Sequence, residues 1–480
     1  MNFYFSAAQV LDRLEAKQGS IKGLIATLPE KDRKRTSALV IETLKYKPVL
    51  TQIINESKLM KEERKKLTSP NLTLILVHDL LLSGGIQAGD GPIKQAILRH
   101  KTRLHGEFQK LKIKRGVKSN EELAQVQDER AARIPRYVRV NTCLWTAPKA
   151  VDYFVSKGFR QSGPFGSPDN RGFAQDPHIP NLFQFHPQIS FQEDPAYKDG
   201  RLILQDKASC FPAVILDPPA KDSAMVIDAT SAPGNKTSHL SALMEGKGTL
   251  FAFERDKRRF STLETMLAKA KCKNVQPINA DFLTVDPLDM KYSQVTHILL
   301  DPSCSGSGIV NRLDYLLESE REEDPSQEDR LNKLASFQVM IIKHAMKFPS
   351  VQRVVYSTCS IHAIEDEHVV GEILKSDEAL AGGFTLAPAE QVLPQWSRRG
   401  LPNEMDEPDH ASSLVRCSPD EDGTNGFFVS CFIRKEKESS KRKARETELP
   451  EDETLQGPRK KKKKQKRKGQ GVHTISIGGH

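Results

Sequence analysis

The stretch VIDATSAPGNKTSHL, residues 226–240, decides the fold of this chain. An apolar run ends at Asp228, a loop of small residues follows, and a helical pattern begins near Lys236 or Thr237. In a doubly wound sheet such a turn lies at the carboxyl ends of the strands, where ligands bind. An ordinary strand-to-helix turn has the same appearance, so both interpretations stay open here. A P-loop is excluded, because Asn235 separates Gly234 from Lys236.

Strand and helix signals alternate on both sides of this turn, from about residue 206 to 433. Short, nearly continuous apolar strands between helices indicate a parallel sheet covered on both faces. We therefore predict a Rossmann-like, doubly wound α/β domain over residues 206–434. Its expected strands are AMVIDAT (224–230), TLFAFER (249–255), VQPINA (275–280), THILLDP (296–302) and VVYST (354–358), with GFFVSCFIR (426–434) as a late strand suited to the sheet edge.

Two segments of this region are interpreted as lacking regular structure. ESEREEDPSQEDR (318–330) is a charged insertion, which we expect to be a mobile loop. LDPPA (216–220) imitates the Asp-Pro-Pro core of amino-group methyltransferases, but it precedes the first strand of the sheet instead of ending the fourth. We interpret it as a turn.

The residues before the α/β domain indicate two further units. Apolar positions at three- and four-residue spacing predict an all-α domain over residues 1–120. RYVRVNT (136–142) alternates like a strand and APKAVDYFVSKGF (147–159) like an amphipathic helix, which indicates a small α/β subdomain over residues 121–205. The tail, 435–480, contains RKKKKKQKRK and has a composition that cannot build a core, so we expect it to be disordered.

Composition excludes several classes of protein. The chain has 480 residues and 38% hydrophobic content, enough for two or three domains. Its longest apolar stretch, LTLILVHDLLL (72–82), is too short to cross a bilayer, and the N-terminus does not have the pattern of a secretory signal. Seven cysteines without any C-x-x-C pair argue against a zinc site or a disulfide framework and favour a reducing intracellular compartment.

Charge is unevenly distributed along the chain. Residues 1–140 hold 27 Lys+Arg against 15 Asp+Glu, residues 141–433 hold 29 against 40, and the residues from 434 onward hold 16 against 7. If the partner is a polyanion, the two ends supply most of the long-range attraction. The lysine-rich run of the tail is typical of a nuclear or nucleolar address combined with a polyanion tether.

Polar side chains follow the predicted strands at the edge where a ligand would bind. Glu254 comes about twenty residues after the loop, where an acid can bind the hydroxyls of a ribose, although it could equally pair with Arg258 or Arg259. Asp281 follows the third strand, in a natural place for a carboxylate that faces an adenine ring.

Two cysteines end neighbouring strands of the same predicted sheet. Cys304 lies in LLDPSCSGSG (299–308) and Cys359 in YSTCS (356–360). Each alone is best explained as a small buried hydrophobe. Because both end strands among small hydroxyl residues, we expect the two thiols to lie close together beside the ligand-binding loop.

This ordered set of motifs resembles the Sun-domain RNA cytosine-5 methyltransferases, which include bacterial Fmu and several eukaryotic nucleolar proteins. The resemblance covers roughly residues 135–434 and rests on RYVRVNT, LQDKASC, DATSAPGNKT, LLDPSCSGSG and VYSTCSIHAIEDE. The helical part, with QGSIKGL and LKIKRGVKSNEEL, is most similar to the fifth eukaryotic branch, which acts on large-subunit ribosomal RNA. The chain departs from the family pattern at Thr230-Ser231, usually Cys-Ala, and at Glu365-Asp366-Glu367, usually Glu-Asn-Glu.

The resemblance implies a class I fold, S-adenosylmethionine as cofactor and methylation of cytosine C5 through a covalent bond between a cysteine and C6. It implies Cys359 as the nucleophile, Cys304 as the assistant of proton removal and product release, Asp301 at the N3/N4 edge of the base, and Lys236 beside Asp301. The implied cofactor-binding residues are Thr230, Ser231, Ala232, Pro233, Gly234, Asn235, Lys236, Glu254, Arg259, Asp281 and Asp301. We expect a nucleolar monomer that needs no metal.

Other functions stay open at this point. DNA cytosine-5 enzymes use a Pro-Cys thiol as nucleophile, but they do not need a second cysteine in a Thr-Cys-Ser sequence. The chain could instead methylate transfer RNA or another RNA, or it could be a ribosome-assembly protein that binds RNA without catalysis. The presence of Cys304, Cys359, Asp301 and Lys236 argues against the last of these.

Overall fold

The computed structural model describes residues 2–16, 18–19, 21–125, 130–310, 316 and 325–435. Its N-terminal part is helical, as the spacing of apolar residues predicts. The buried α6 shows why these segments form helices: Pro70 occupies its first turn and the Ser69 hydroxyl accepts the Leu72 N–H as an N-cap. The helices are α1 (Asn2–Glu15), α2 (Ile21–Ala26), α3 (Glu30–Lys45), α4 (Lys47–Glu56), α5 (Leu59–Glu62), α6 (Pro70–Leu82), α7 (Pro92–Arg99), α8 (Lys101–Arg115) and α9 (Arg130–Arg133).

A small antiparallel sheet follows, with strand order β2-β3-β1-β4. Its core is aromatic, and Phe154 packs edge-on against Phe185 with ring centroids 4.9 Å apart. The alternating pattern of β1 suggests that Arg139 faces solvent, but Arg139 is fully buried and donates to Gln205 Oε1 and Ser238 Oγ. The elements are β1 (Arg136–Val140), α10 (Ala147–Ser156), β2 (Phe173–Gln175), β3 (Leu182–Phe185), α11 (Pro195–Lys198) and β4 (Leu202–Leu204).

The second sheet has strand order β10-β12-β9-β8-β5-β6-β7, and β11 also pairs with β12. The strands from β9 to β7 in this order are parallel, as predicted, whereas β12 runs antiparallel to β9. The elements are α12 (Lys207–Leu216), β5 (Met225–Asp228), α13 (Asn235–Leu243), β6 (Thr249–Phe253), α14 (Lys257–Ala270), β7 (Val275–Ile278), β8 (His297–Leu300), α15 (Pro325–Met346), β9 (Arg353–Thr358), α16 (Glu367–Leu374), α17 (Asp377–Gly382), β10 (Phe384–Leu386), β11 (Val415–Cys417) and β12 (Phe427–Arg434).

Helices cover this sheet on both faces, which confirms the doubly wound α/β prediction. Successive residues of β9 point to opposite faces, so Val354 and Tyr356 join a core with α15 and α16 while Val355 joins one with α12 and α13. Strand order reverses between β5 and β8, which creates a switch point at the carboxyl ends of the strands.

Two predictions about this domain are wrong. The strand β12 is not at the sheet edge, because the three-residue strands β10 and β11 both pair with its outer side. The segment 318–330 is not entirely a loop, since α15 begins at Pro325, and residues 318–324 lie outside the described part of the chain. The LDPPA prediction is confirmed, because residues 217–220 form an irregular connection between α12 and β5.

Some expectations are not tested by the fold. The domain limits stay predictions. The prediction of a disordered tail over 435–480 also stays untested, because residues 436–480 lie outside the described part of the chain. Within the described ranges no helix combines the length and the apolarity that a bilayer crossing demands. In the same ranges no three His, Cys, Asp or Glu side chains are grouped to hold a metal ion.

Candidate active site

The two cysteines lie in direct contact. Cys304 follows β8 and Cys359 follows β9, and parallel pairing of these strands places Leu300 beside Tyr356. The two loops therefore leave the sheet together, and the Sγ atoms are 3.1 Å apart. The pKa of Cys304 lies far above that of an ordinary thiol, first because its sulfur shares a hydrogen bond with Cys359 and second because it is buried.

Backbone contacts fix the distance between the two loops. The Gly308 N–H donates to the carbonyl of Cys359 at 2.9 Å, and the Gly426 N–H donates to the carbonyl of Gly308 at 2.8 Å. A Cβ atom at Gly308 would lie 2.2 Å from the carbonyl oxygen of Gly426. Glycine is required at this position because two backbones meet there.

Asp301 is held by three groups. Its Oδ2 accepts from Lys236 Nζ at 2.7 Å, its Oδ1 accepts from the Ser357 hydroxyl at 2.8 Å, and its N–H donates to Thr230 Oγ1 at 2.8 Å. Burial lowers the pKa of Lys236, but the carboxylate of Asp301 outweighs this, so the pKa is raised overall. Lys236 and Asp301 therefore form a fixed ion pair beside the thiols.

A cavity of about 330 Å³ opens in front of these groups, at the switch point of the sheet. That size suits a small organic ligand. Its polar walls carry the carboxylates of Glu254, Asp281 and Asp301, which can accept hydrogen bonds from a ligand, and each carboxylate also has a cation nearby: Arg259, Arg255 and Lys236 respectively. Its lining residues are Ala229, Thr230, Phe253, Glu254, Arg255, Arg259, Ala280, Asp281, Phe282, Asp301, Pro302, Ser303, Cys304, Phe337, Ile341 and Cys359.

Glu254 and Arg259 contact each other on one wall of this cavity. Glu254 is buried, its Oε1 accepts the Asp256 N–H at 2.8 Å, and its Oε2 lies 3.4 Å from Arg259 Nη2. Arg259 also donates to the carbonyl of Ala232 at 2.8 Å. The pairing of Glu254 with Arg259, one of the alternatives considered from the sequence, is therefore present in the structure. Glu254 nevertheless lines the cavity.

The loop 230–236 is only partly a cavity wall. Thr230 lines the cavity, whereas the residues after it do not. Ser231 lies behind the cavity wall, where its N–H donates to the carbonyl of Phe253. The side-chain amide of Asn235 donates to the carbonyl of Leu204 in the small sheet. Gly234 has φ 112°, and a Cβ there would lie 3.2 Å from Leu263 of α14. Its role here is close packing of the loop.

Three polar residues of the site, Asp228, Ser209 and Ser357, were not among the predicted site residues. Asp228 is buried at the end of β5 and accepts from the Thr237 hydroxyl at 2.7 Å, and burial raises its pKa to about 6. Ser209 accepts from Lys236 Nζ at 3.1 Å. A carboxylate that ends a strand was a detectable signal for Asp228, but nothing in the sequence distinguishes Ser209 or Ser357 from other serines.

The fold and the cavity define a class I S-adenosylmethionine-dependent methyltransferase. The solved structure of PH0851 supports the fold, with a TM-score of 0.59 at 19% identity over 89% of this chain and 97% of that one. Family models match residues 213–433 as 16S rRNA methyltransferase RsmB/F, and 34–124 and 134–205 as the N-terminal and ferredoxin-like domains of NOL1/NOP2/Sun domain family member 5.

Two relatives extend this agreement over 91% of the chain. The 25S rRNA (cytosine-C(5))-methyltransferase rcm1 of Schizosaccharomyces pombe is 44% identical over 91% of this chain and 92% of its own length. The 28S rRNA (cytosine-C(5))-methyltransferase of Mus musculus is 43% identical over the same shares. The chain therefore belongs to the NOL1/NOP2/Sun-domain family of methyltransferases, in the branch of member 5, which confirms the predicted resemblance. It is an enzyme, and its cofactor is S-adenosylmethionine.

Proposed function

We propose that this enzyme methylates C5 of a cytosine in large-subunit ribosomal RNA. The observation that carries the proposal is the contact of two thiols, 3.1 Å apart, at the cofactor cavity and next to the Lys236–Asp301 pair. The substrate is supported by the relatives from fission yeast and mouse, whose names specify 25S and 28S rRNA.

The chemistry explains why a thiol is needed. Carbon 5 of cytosine is a poor nucleophile, and a thiolate that adds to C6 pushes electrons into the ring and converts C5 into the end of an enamine. We assign this addition to Cys359. The raised pKa of Cys304 makes Cys304 the poorer nucleophile of the two thiols, and the cation of Lys236 nearby favours a thiolate at Cys359.

Asp301 orients and stabilises the base. Its carboxylate is held from both oxygens, so it can accept a hydrogen bond from the N4 amino group at the N3/N4 edge of the cytosine without reorganisation, while the cation of Lys236 offsets the negative charge that thiolate addition places on the ring. Lys236 keeps Asp301 in place and adds positive charge at the same edge. The pair thus lowers the barrier to thiolate addition.

Cys304 assists the last step. After methylation the C5 proton leaves to solvent water, its bonding electrons form the C5=C6 double bond, and the C6–Sγ bond breaks with its electron pair returning to Cys359. The Cys304 thiol lies 3.1 Å from that sulfur and donates a hydrogen bond to it as it departs. Loss of Cys304 should therefore delay release rather than addition.

The remaining cavity residues hold the cofactor. S-adenosylmethionine, when bound, supplies the methyl group from its sulfonium. The lining residues fit this ligand: Glu254 is placed for the ribose hydroxyls, Asp281 for the adenine edge and Asp301 for the positively charged end. Arg259 supports Glu254 and the loop, and residues 231–235 support the cavity from behind instead of touching the ligand.

The distribution of charge along the chain supports proposals for where RNA binds and where the protein is located in the cell. A target base must be unstacked before it enters the pocket, at a cost of roughly a few kcal/mol, which binding elsewhere on the RNA has to offset. We assign that binding to residues 1–140, with 27 Lys+Arg against 15 Asp+Glu, and to the small sheet with α10. The lysine-rich tail would direct the protein to the nucleolus.

Bisulfite sequencing of ribosomal and transfer RNA, from cells with and without the protein, tests this function. The proposal predicts the loss of a single methylated site in large-subunit RNA. A site lost from transfer RNA instead would contradict the substrate, and unchanged methylation in all RNAs would contradict the activity.

A further inference from the structure

Two buried networks of polar side chains lie beneath the thiols. The first, here called the Gln338 network, consists of Gln338, Tyr356 and Glu365. All three are fully buried, and each carries a polar or charged group. Burial of such a group costs free energy unless the group is hydrogen-bonded. Their partners therefore show what these residues do.

The Gln338 network holds the loop on both sides of Cys304. Gln338 Nε2 donates to the carbonyl of Ser303 at 3.1 Å and to Glu365 Oε1 at 3.0 Å. The Ser305 N–H donates to the same Glu365 oxygen at 2.9 Å. The Tyr356 hydroxyl, 2.6 Å from the carbonyl of Glu365 and 2.9 Å from Gln338 Oε1, closes the network.

The second network, here called the Asp366 network, consists of Thr358, Asp366, Glu367 and Arg416. It holds the chain on both sides of Cys359. Thr358 Oγ1 donates to Asp366 Oδ1 at 2.6 Å and accepts the Ser360 N–H at 3.2 Å. Arg416 binds Glu367 at 2.7 Å and donates to the carbonyl of Ile361 at 3.1 Å.

Charge in the Asp366 network explains a departure from the family motif. Glu365, Asp366 and Glu367 are consecutive and fully buried, and Arg416 is the cation that contacts Asp366 and Glu367. Burial raises the pKa of Asp366 well above its ordinary value, and this shift favours the neutral form of the carboxyl. A neutral aspartic acid resembles the asparagine that the family usually has at this position.

We propose that the two networks position the two thiols separately: Gln338 and Glu365 set the place of Cys304 and so control release of the methylated RNA, whereas Thr358 and Asp366 set the place of Cys359 and so control its addition to C6. The inference rests on the proposed function of the two cysteines. All four are positioning residues, because they act through the thiol loops and do not line the cavity. A displacement of about 1 Å can cost on the order of 100-fold in rate, so small shifts of either loop should be measurable.

Single-turnover assays of the full chain with large-subunit RNA and S-adenosylmethionine test the inference. Glu365→Ala should raise the fraction of protein in a covalent RNA adduct by about tenfold with little change in the rate of adduct formation. Thr358→Val should slow adduct formation by about tenfold without accumulation. The conservative variants Glu365→Gln and Asp366→Asn keep an acceptor oxygen. Each should therefore retain the ratio of adduct to product that the unmodified protein shows.

Controls separate positioning from general damage and from failure of the chemistry. Ser376→Ala removes a buried helix cap outside both networks, and it should lower the melting temperature without changing the ratio of adduct to product. The inference would be overturned if each of the two variants, Glu365→Ala and Thr358→Val, slowed adduct formation and product release by the same factor. If Cys304→Ser also fails to accumulate an adduct, the proposed chemistry is overturned as well. If Cys304→Ser does accumulate an adduct while the two network variants fail, only the positioning roles of the networks are overturned.

Discussion

At the scale of single residues, the pairing of two strands places Cys304 in contact with Cys359, and this contact is the basis of the proposed chemistry. That neighbouring parallel strands would bring the two thiols together was predictable from the sequence. Lys236 beside Asp301 was also expected. The distance of 3.1 Å and the contact of Ser357 with Asp301 were not predictable, because they depend on Ser357, Gly308 and Gly426, whose partners are remote in the chain. Such residues acquire a role only from tertiary contacts.

Replacement of Lys236 tests the ion pair. Lys236→Gln removes the cation that fixes Asp301 and favours the thiolate, so kcat/KM should fall by roughly 100-fold or more. Steady-state methylation of RNA with labelled cofactor measures the effect. Lys273→Gln, at an exposed lysine, is the matched control. Equal activities of the two variants would contradict the role of Lys236.

At the scale of elements, prediction succeeded where the sequence signal was long enough. The parallel strands β5 to β9 are apolar runs between helices, and each was identified. The strands β10 and β11 have three residues each, too few for a periodic pattern, so β12 was wrongly interpreted as an edge strand. The start of α15 was missed because its first turns, PSQEDR, have the composition of a loop.

The meeting of Gly308 and Gly426 ties the Cys304 loop to β12. Gly308→Ala would force a Cβ to within 2.2 Å of a carbonyl oxygen, so the backbones must separate. We expect a loss of about 1–3 kcal/mol of stability together with reduced activity. Gly84→Ala is the control, because its Cβ would meet nothing closer than 3.9 Å. Urea denaturation and methylation assays of both variants measure the difference, and equal stabilities would contradict this account.

Asp228 at the end of β5 makes stability depend on pH. Burial raises its pKa from 3.8 to about 6, so between these values the folded chain retains a proton that the unfolded chain has lost. The resulting stabilisation is complete below pH 3.8 and is lost as the pH rises through about 6. The loss is on the order of 2–3 kcal/mol.

Asp228→Asn should remove this part of the pH dependence. The free energy of unfolding, measured by urea denaturation from pH 4 to pH 7, should fall less with pH in the variant than in the unmodified protein. Asp222→Asn, at an exposed aspartate in the connection before β5, should behave like the unmodified protein. Parallel pH profiles for Asp228→Asn and the unmodified protein would contradict the raised pKa.

At the scale of the whole molecule, the charge distribution separates binding from catalysis. The acidic middle of the chain carries the cavity, while both ends are basic. This division was visible in the sequence because net charge needs no tertiary structure. The burial of Arg139 between the small sheet and α13 was not visible, since an arginine in an alternating strand usually faces solvent.

Deletion of residues 436–480 tests the role of the tail. Most of the 16 Lys+Arg found from residue 434 onward are lost, so RNA affinity should fall, and the loss should be largest at low salt. Filter binding at several salt concentrations measures this, and fluorescence microscopy should show the shortened protein outside the nucleolus. Unchanged localisation would contradict the address function of the tail.

The most direct measurement of the central claim is the trapping of a covalent RNA adduct by the unmodified protein, Cys359→Ser and Cys304→Ser. Denaturing electrophoresis after incubation with large-subunit RNA and S-adenosylmethionine should show no adduct and no methylation for Cys359→Ser. It should show an accumulated adduct for Cys304→Ser. An adduct or methylated RNA formed by Cys359→Ser would contradict the assignment of the nucleophile.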